Sequence, residues 1–277
     1  MNYLEGRVIL VTGAGGGFGK LTVEKAAAAG ARVVCVDING EAASAVASGI
    51  EAAGGSAEAV AADVRNIDDL RAAVRAAVSR FGSLDVLVNN AGTMPLAFLA
   101  DHAQALDAWN RCIDINFKGV MNGTVAAYDQ MMAQGHGHIV NIASIYANHP
   151  VVGSAVYGAT KAAVESFSNS VRQETRGRIK VTVVKPTGVM ATGLLQTTVN
   201  MDAAVGILGH NWAAFQNDAA GLEEGTVPPK RLDPENIEYG FLDPGFVADA
   251  IIHVINQPRG VTLSDVTVRA TGDYFIM

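Results

Sequence analysis

The run Thr12-Gly13-Ala14-Gly15-Gly16-Gly17-Phe18-Gly19 follows a short apolar stretch at residues 8–11 and gives way at once to a helical pattern. Glycines at such a turn let the backbone bend tightly and approach a pyrophosphate with no Cβ in the way. The helix that starts there offers unpaired N–H groups and a partial positive charge to an anion. A strand before and a helix after separate this pattern from a chance cluster of glycines. A second apolar stretch, 33–36, ends at Asp37, eighteen residues beyond Gly19. That is about the spacing at which a carboxylate meets the hydroxyls of an adenine ribose. The plain alternative is a strand-end turn residue. A carboxylate there repels a 2′-phosphate, and neither Ile38, Asn39 nor the glycine turn supplies a Lys or Arg. The charge logic of the site therefore favours NAD over NADP.

The elements that would position these residues are legible as an alternation. Apolar runs at 8–11, 33–36, 59–62, 86–88, 138–142 and 180–184 are separated, in the first half, by Ala-rich stretches of helical spacing at 21–29, 42–53 and 70–81. Strands apolar throughout, with helices between them, indicate a parallel sheet covered on both faces. The expected class is α/β, a Rossmann-like doubly wound parallel sheet whose ligands sit beyond the carboxyl ends of the strands. From about 193 to 240 the alternation stops, and Gly, Asn, Pro, Trp and Met appear. A segment this long without a pattern reads as a lid or binding loop. Residues 1–277 are thus expected to form a single domain, with 193–240 as a substrate lid inserted in it. A helix at 247–256 and a closing strand at 262–269 follow.

Bulk properties exclude other classes. The chain has 277 residues, 49% of them apolar, enough for one domain with a substantial core. No run of eighteen apolar residues occurs, so no membrane partner is expected. The N-terminus lacks a basic start, an apolar block and a cleavage site, so no signal peptide is expected and the location is taken as cytoplasmic. A net charge of −7 with no basic cluster argues against nucleic acid. The two cysteines, Cys35 and Cys112, read as buried thiols in a reducing compartment, and the six histidines show no metal-ligand spacing, so no metal is expected.

Four motifs in order make the chain resemble the short-chain dehydrogenase/reductase family. The glycine turn has that family's TGxxxGxG spacing. Asn89-Asn90-Ala91-Gly92 follows the fourth strand, Ser144 follows the fifth, and Tyr157-Gly158-Ala159-Thr160-Lys161 comes thirteen residues after Ser144. Asn116 lies in the helix between, where the family places a fourth polar residue. The likeness runs over 6–192 and resumes near 245–270. In isolation each residue has a plain reading: Tyr and Lys four apart are a common surface pair, Ser144 a turn cap, Asn116 a buried amide.

The resemblance implies roles. Tyr157 would be the general acid and base, helped by Lys161 on the same helix face, since a neighbouring ammonium and a cationic nicotinamide both stabilise phenolate. Lys161 would also hold the nicotinamide ribose. Ser144 would orient the substrate oxygen, and Asn116 would position a water linking Lys161 to solvent. Further cofactor contacts carry over to Asp63 and Val64 after the third strand, to Asn90, Ala91 and Gly92, and to Pro186, Thr187, Gly188, Val189 and Thr192 after the sixth. Asn89 is expected to stabilise the sheet rather than touch ligand. Two departures stand out: Thr187 replaces the usual glycine after the proline, and Thr192 lies six residues after Pro186 rather than five. A local bulge is expected there.

Substrate walls are expected at Thr93, Met94, Ile145, Tyr146, His149, Val151, Val152, Gly188 and Met190, which flank the catalytic residues in sequence. Most are apolar, which suits a hydrophobic or aromatic substrate. In the insertion, Leu194, Leu195, Met201, Ile207, Leu208, Trp212 and Phe215 read first as core or subunit contacts and only second as a lid. The expected activity is interconversion of a secondary alcohol and its ketone with NAD. An NADPH-dependent carbonyl reductase and a non-catalytic dinucleotide sensor are the alternatives. The resemblance also implies a homodimer or homotetramer built on the helices carrying Asn116 and Tyr157.

Overall fold

The computed structural model describes residues 1–189 and 192–276. Seven strands, β1 (Val8–Thr12), β2 (Arg32–Asp37), β3 (Ser56–Ala61), β4 (Val86–Asn89), β5 (Gly137–Ile142), β6 (Ile179–Pro186) and β7 (Asp265–Val268), form one sheet. All are parallel, in the order β3-β2-β1-β4-β5-β6-β7. The helices between them are α1 (Gly17–Ala28), α2 (Gly40–Ala52), α3 (Ile67–Phe81), α4 (His102–Cys112), α5 (Gly119–Gln134) and α6 (Ala155–Glu174). Then come α7 (Val205–Leu208), α8 (Trp212–Glu224), α9 (Pro229–Leu232) and α10 (Pro244–Ile255). This is the doubly wound α/β architecture expected from the sequence.

Alternation along β1 shows why the sheet is apolar on both sides. Ile9 and Val11 join one core cluster with Val23 of α1 and Ile251 of α10; Val8 and Leu10 join the other with Ala73 of α3 and Met131 of α5. Strand order reverses between β1 and β4, the strands on either side of which wind in opposite directions. A crevice therefore opens at their carboxyl ends.

Buried amides fix the middle of the sheet. Asn89 on β4 donates to Asn141 on β5 at 2.8 Å, Asn141 donates to Ser168 on α6 at 2.8 Å, and Ser168 donates to the Val164 carbonyl at 2.6 Å. The Asn89 side chain lies against Gly123 of α5, where a Cβ would collide with it. Asn89 thus ties sheet to helices, as its place before Asn90 suggested.

Two regions differ from the sequence reading. The segment 193–240 is not irregular: it is a series of short helical pieces ending in α8 and α9. Glycines at positive φ, Gly209 (52°) and Gly225 (71°), interrupt it, so no piece except α8 is long enough to show a period. The closing strand is shorter than 262–269, covering only Asp265–Val268.

His138 at the start of β5 is 1% exposed. Thr182 donates its hydroxyl hydrogen to the Leu263 carbonyl at 2.7 Å, so His138 Nε2, 2.8 Å from that hydroxyl, must be the donor. Nδ1 is then a buried acceptor with no partner among the described residues. Burial, with Lys180 and Arg7 nearby, pulls the imidazole pKa from 6.5 to about 3. The unfolded chain consequently binds one more proton than the folded one between those values, and stability falls as pH drops through that window. His138→Gln removes this contribution. The difference in urea unfolding free energy between variant and parent should change by about 1.4 kcal/mol per pH unit between pH 6 and 4 and stay flat above pH 7.

Candidate active site

The crevice is built first from the end of β1. Thr12 Oγ1 accepts from the backbone N–H groups of Asn90 (3.0 Å) and Ala91 (3.1 Å), which locks the turn after β4 to the turn after β1. Asn90 Nδ2 returns a hydrogen bond to the Thr12 carbonyl at 2.9 Å. Gly13 has φ +68°, and a Cβ there would meet Asn90 Nδ2 at 3.0 Å. Gly19 seats α1 on the Gly13 carbonyl, where any side chain would collide. Gly16 and Gly17 face open space, and no side chain caps the first turn of α1. Free N–H groups therefore point at the crevice, as an anionic diphosphate requires.

Asp37 closes this end. Its Oδ2 accepts from Gly15 N and its Oδ1 from Asn39 N, both at 2.9 Å. The carboxylate is fixed against the crevice wall with lone pairs to spare for sugar hydroxyls. Asp63 lies elsewhere in chemical terms: the Arg65 side chain grips both its oxygens, from Nε at 3.0 and 2.9 Å and from Nη2 at 2.5 Å, and holds its pKa low.

At the other end, Ser144 leaves β5 as the cap of a short 3₁₀ turn and accepts from Tyr146 N at 3.3 Å. Tyr157 and Lys161 project from the first two turns of α6 and are 3% and 5% exposed. Lys161 Nζ donates to the Ile142 carbonyl at 2.8 Å and lies 5.8 Å from the centre of the Tyr157 ring. Burial lowers the Lys161 pKa from 10.5 to about 8. Burial also drives the Tyr157 pKa above its ordinary value, while the hydrogen bond with Ser144 works the other way. In the chain alone desolvation outweighs the Ser144 contribution; the expected lowering rests also on the charge of a bound nicotinamide. The chain's own groups hold Tyr157 as a proton donor.

Asn116 sits in a π-helical turn, Ile113–Lys118, between α4 and α5 and is fully buried. Its Oδ1 accepts from Thr93 N at 2.9 Å, and its Nδ2 donates to the Thr93 carbonyl (2.8 Å), Cys112 Sγ (3.3 Å) and Thr160 Oγ1 (3.3 Å). The side chain braces the loop after β4 against α6 and does not reach the cavity. Cys112 and Cys35 are buried free thiols.

Between these ends lies a cavity of about 420 Å³. Gly13, Gly16, Gly17, Phe18 and Asp37 line it at the anion-binding end, and Asn90, Ala91 and Gly92 line its floor. Pro186, Thr187, Gly188, Val189 and Thr192 form one wall. The altered spacing after Pro186 still delivers Thr192 to the surface. Ser144, Tyr146, Tyr157, Lys161 and Met94 surround the reactive end. Thr187 Oγ1 is buried on this wall with no partner among the described residues, a polar atom in want of a ligand amide or hydroxyl.

Other expected positions fall off the cavity surface. Gly15 and Gly19 shape the turn from behind. Ile38 is 69% exposed, Val64 packs on Gly119, Ile145 and Val151 lie in the supporting core, and His149 is exposed. Met190 lies outside the described residues. In the insertion, Leu194, Leu195, Met201, Ile207, Leu208 and Phe215 reach the cavity, whereas Trp212 stacks behind Phe215. Leu194, Leu195, Ile207, Leu208, Trp212 and Phe215 pack in one core cluster, as read first, and all but Trp212 also line the cavity. Leu96, Thr198, Phe241, Tyr274 and Phe275 also line it, and no motif pointed to them. Among the described residues no cluster of His, Cys, Asp or Glu could hold a metal ion, and no helix is long and apolar enough to cross a membrane.

Comparison with known proteins agrees with this geometry. The short chain dehydrogenase family matches residues 7–203. An uncharacterized oxidoreductase of Staphylococcus aureus is 30% identical over 270 residues, which cover 97% of this chain and 99% of the relative. A 3-ketoacyl-(acyl-carrier-protein) reductase of Brucella melitensis, solved with NADH, is 30% identical with a TM-score of 0.76 over 97% of this chain and 99% of its own. A metagenomic short-chain oxidoreductase solved with NADP is 28% identical, with a TM-score of 0.72 over 97% and 98%. An alcohol dehydrogenase of Thermococcus sibiricus, solved with 5-hydroxy-NADP, shares the fold at 18% identity and a TM-score of 0.76, over 96% of this chain and 97% of its own. With a buried Tyr-Lys pair, a glycine-lined crevice and these relatives, the chain belongs to the short-chain dehydrogenase family of oxidoreductases.

Proposed function

We propose that this protein is an NAD(H)-dependent oxidoreductase that interconverts a hydrophobic or aromatic secondary alcohol and its ketone. The observation that carries the reading is the convergence of Ser144, Tyr157 and Lys161 at one end of an apolar cavity whose other end is the glycine turn and Asp37. The open N–H groups of α1, the glycines that no side chain could replace and the unpartnered Thr187 hydroxyl fit a nicotinamide dinucleotide. Gly13, Gly16, Gly17, Asp37, Asn90, Lys161 and Thr187 would hold it. When bound it supplies the hydride donor or acceptor.

The chain's own groups handle the proton. In reduction, Tyr157 donates its hydroxyl proton to the carbonyl oxygen, which the Ser144 hydroxyl holds in place. In oxidation, Tyr157 takes that proton back. Lys161 carries the charge that makes this second role possible, since an ammonium in a buried site acts at low effective dielectric. The cavity's apolar walls exclude water from the exchange.

NAD is favoured by Asp37. The relatives are split, one solved with NADH and another with NADP, so the local charge has to decide. A 2′-phosphate would meet the Asp37 carboxylate, and Lys20, which follows the glycine turn, faces Glu24 at 3.8 Å. A dimer or tetramer is part of the proposal. Leu106 of α4, Ile113 and then Met121, Val125 and Tyr128 of α5 expose an apolar stripe.

Four outcomes follow. Tyr157→Phe should lower kcat about a thousandfold in both directions and still bind NADH in a fluorescence titration; a dinucleotide sensor would show no turnover to lose. The pH dependence should split by direction. Reduction needs the protonated phenol, which burial maintains, and its kcat/KM should stay level through about pH 9, while oxidation depends on the Lys161 ammonium and its kcat/KM should fall above about pH 8. NADH should exceed NADPH at least about tenfold in kcat/KM, with Asp37→Asn shrinking the ratio; a preference for NADPH would overturn the cofactor reading. Light scattering of the Met121→Lys/Val125→Asp double variant should show a smaller particle than the parent if the stripe is a subunit contact.

A further inference from the structure

The chain beyond β7 turns back over the cavity and ends as part of its wall. At Gly188 a side chain would collide with the Phe275 ring, so that glycine is the seat of the ring. Gly209, at φ +52°, is the seat of Ile276, whose Cδ1 would lie 2.9 Å from a Cβ there. Backbone bonds pin the same stretch: Ile276 N donates to the Ile207 carbonyl at 3.1 Å, and Asn211 Nδ2 donates to the Tyr274 carbonyl at 3.0 Å. The tail is therefore fitted to the segment 193–240, not draped over it.

A second set of contacts holds the tail from behind. Tyr274 donates its hydroxyl to Asp218 Oδ2 at 2.5 Å, and Arg231 Nε donates to the same oxygen at 3.0 Å. Arg231 Nη1 donates to the carbonyls of Gly272 (2.8 Å) and Glu238 (3.1 Å), and its guanidinium lies 4.6 Å from the centre of the Tyr274 ring. Gly240 and Gly272 make room for that guanidinium. One arginine thus joins α8, α9 and the tail. Its charge is matched by Asp218, with both side chains largely buried at 13% and 15% exposure.

These contacts set the chemistry of the substrate end. Of the charged residues on the cavity surface, Asp37 belongs to the ribose end and Lys161 to the catalytic pair. What remains there is chiefly aliphatic and aromatic, with Phe215, Phe241, Tyr274 and Phe275 supplying the rings. We propose that Phe275 is a specificity-determining residue that selects uncharged, ring-bearing ketones and alcohols, and that Asp218, Arg231 and Tyr274 are positioning residues that hold it against Gly188. This deepens, and rests on, the alcohol–ketone reading of the same site.

The test uses 1-tetralone as the ring ketone and 2-butanone as the small one, at saturating NADH. Phe275→Ala should lower kcat/KM for tetralone about tenfold and for butanone less than threefold, because the lost apolar contact is made only by the larger substrate. Phe275→Leu should recover part of the loss. Tyr274→Phe should shift the ratio the same way by about threefold. Equal losses for both ketones would mean a merely structural tail and would overturn the proposal, as would an unchanged ratio in Phe275→Ala. An unchanged ratio in Tyr274→Phe would remove its positioning role. A second arm needs no turnover. The Kd of tetralone for the NADH-bound Tyr157→Phe protein, by calorimetry, should weaken about tenfold when Phe275→Ala is added. Failure of tetralone to bind at all would sink the wall. Tenfold weakening in a protein that reduces neither ketone would leave the wall standing and sink the catalytic reading instead.

Discussion

A lysine ammonium held out of water is the constraint around which this site is arranged. Lys161 has no carboxylate partner among the described residues; the Ile142 carbonyl and the face of Tyr157 are what it has. Removing an ion from water costs several kcal/mol even after the protein relaxes. The consequence is visible in its proton affinity, pulled down to about 8, and in that of Tyr157, pushed up by the same burial. The two groups, nearly matched in water, are driven apart, each toward its uncharged form. Tyr157 therefore holds its proton until a reacting oxygen calls for it, and Lys161 gives one up more readily than it would in solution.

Such a pair functions only if the elements carrying it cannot drift. Lys161 comes from α6, its acceptor from the end of β5, and Gly92 beside it from the turn after β4. The amide chain Asn89–Asn141–Ser168 joins those three elements, and Asn116 joins the loop after β4 to α6 again through Thr93 and Thr160. All four side chains are buried and hydrogen-bonded, so each would leave an unsatisfied partner if replaced by an apolar residue. The π-helical turn at Asn116 belongs to the same device. A regular α-helix would place that amide at a different angle to Thr93.

What could be read from the sequence was what repeats or what the chemistry fixes. Buried parallel strands announce themselves as unbroken apolar runs, so β1, β2, β4, β5 and β6 were placed within a residue or two. The glycine turn was legible because three of its glycines tolerate no side chain: Gly13, Gly15 and Gly19 each face a neighbour at contact distance. Asp63 shows where such reading runs short. Arg65 stands two residues away, and only the folded turn reveals that it grips both carboxylate oxygens. The insertion was illegible for a related reason. Its pieces are too short for a period of 3.6 residues to emerge, and its apolar side chains face a cavity rather than a sheet.

The proposed substrate wall comes from the least patterned parts of the chain, and for a physical reason. The sheet half of the site must satisfy backbone hydrogen bonding, close packing and a fixed cofactor geometry together, which leaves little freedom in residue type. The segment 193–240 and the tail after β7 answer to neither sheet register nor helix period. They need only cover apolar surface and find partners for their own polar groups. Here one buried arginine satisfies Asp218, two carbonyls and an aromatic face, while its own Nη2 is left without a hydrogen-bond partner among the described residues. Because that hub turns its charge inward, the surface left toward the cavity is apolar. On the proposed function, selectivity for uncharged molecules would be a by-product of how the segment 193–240 and the tail are fastened, and would change without disturbing the sheet or the proton-handling pair.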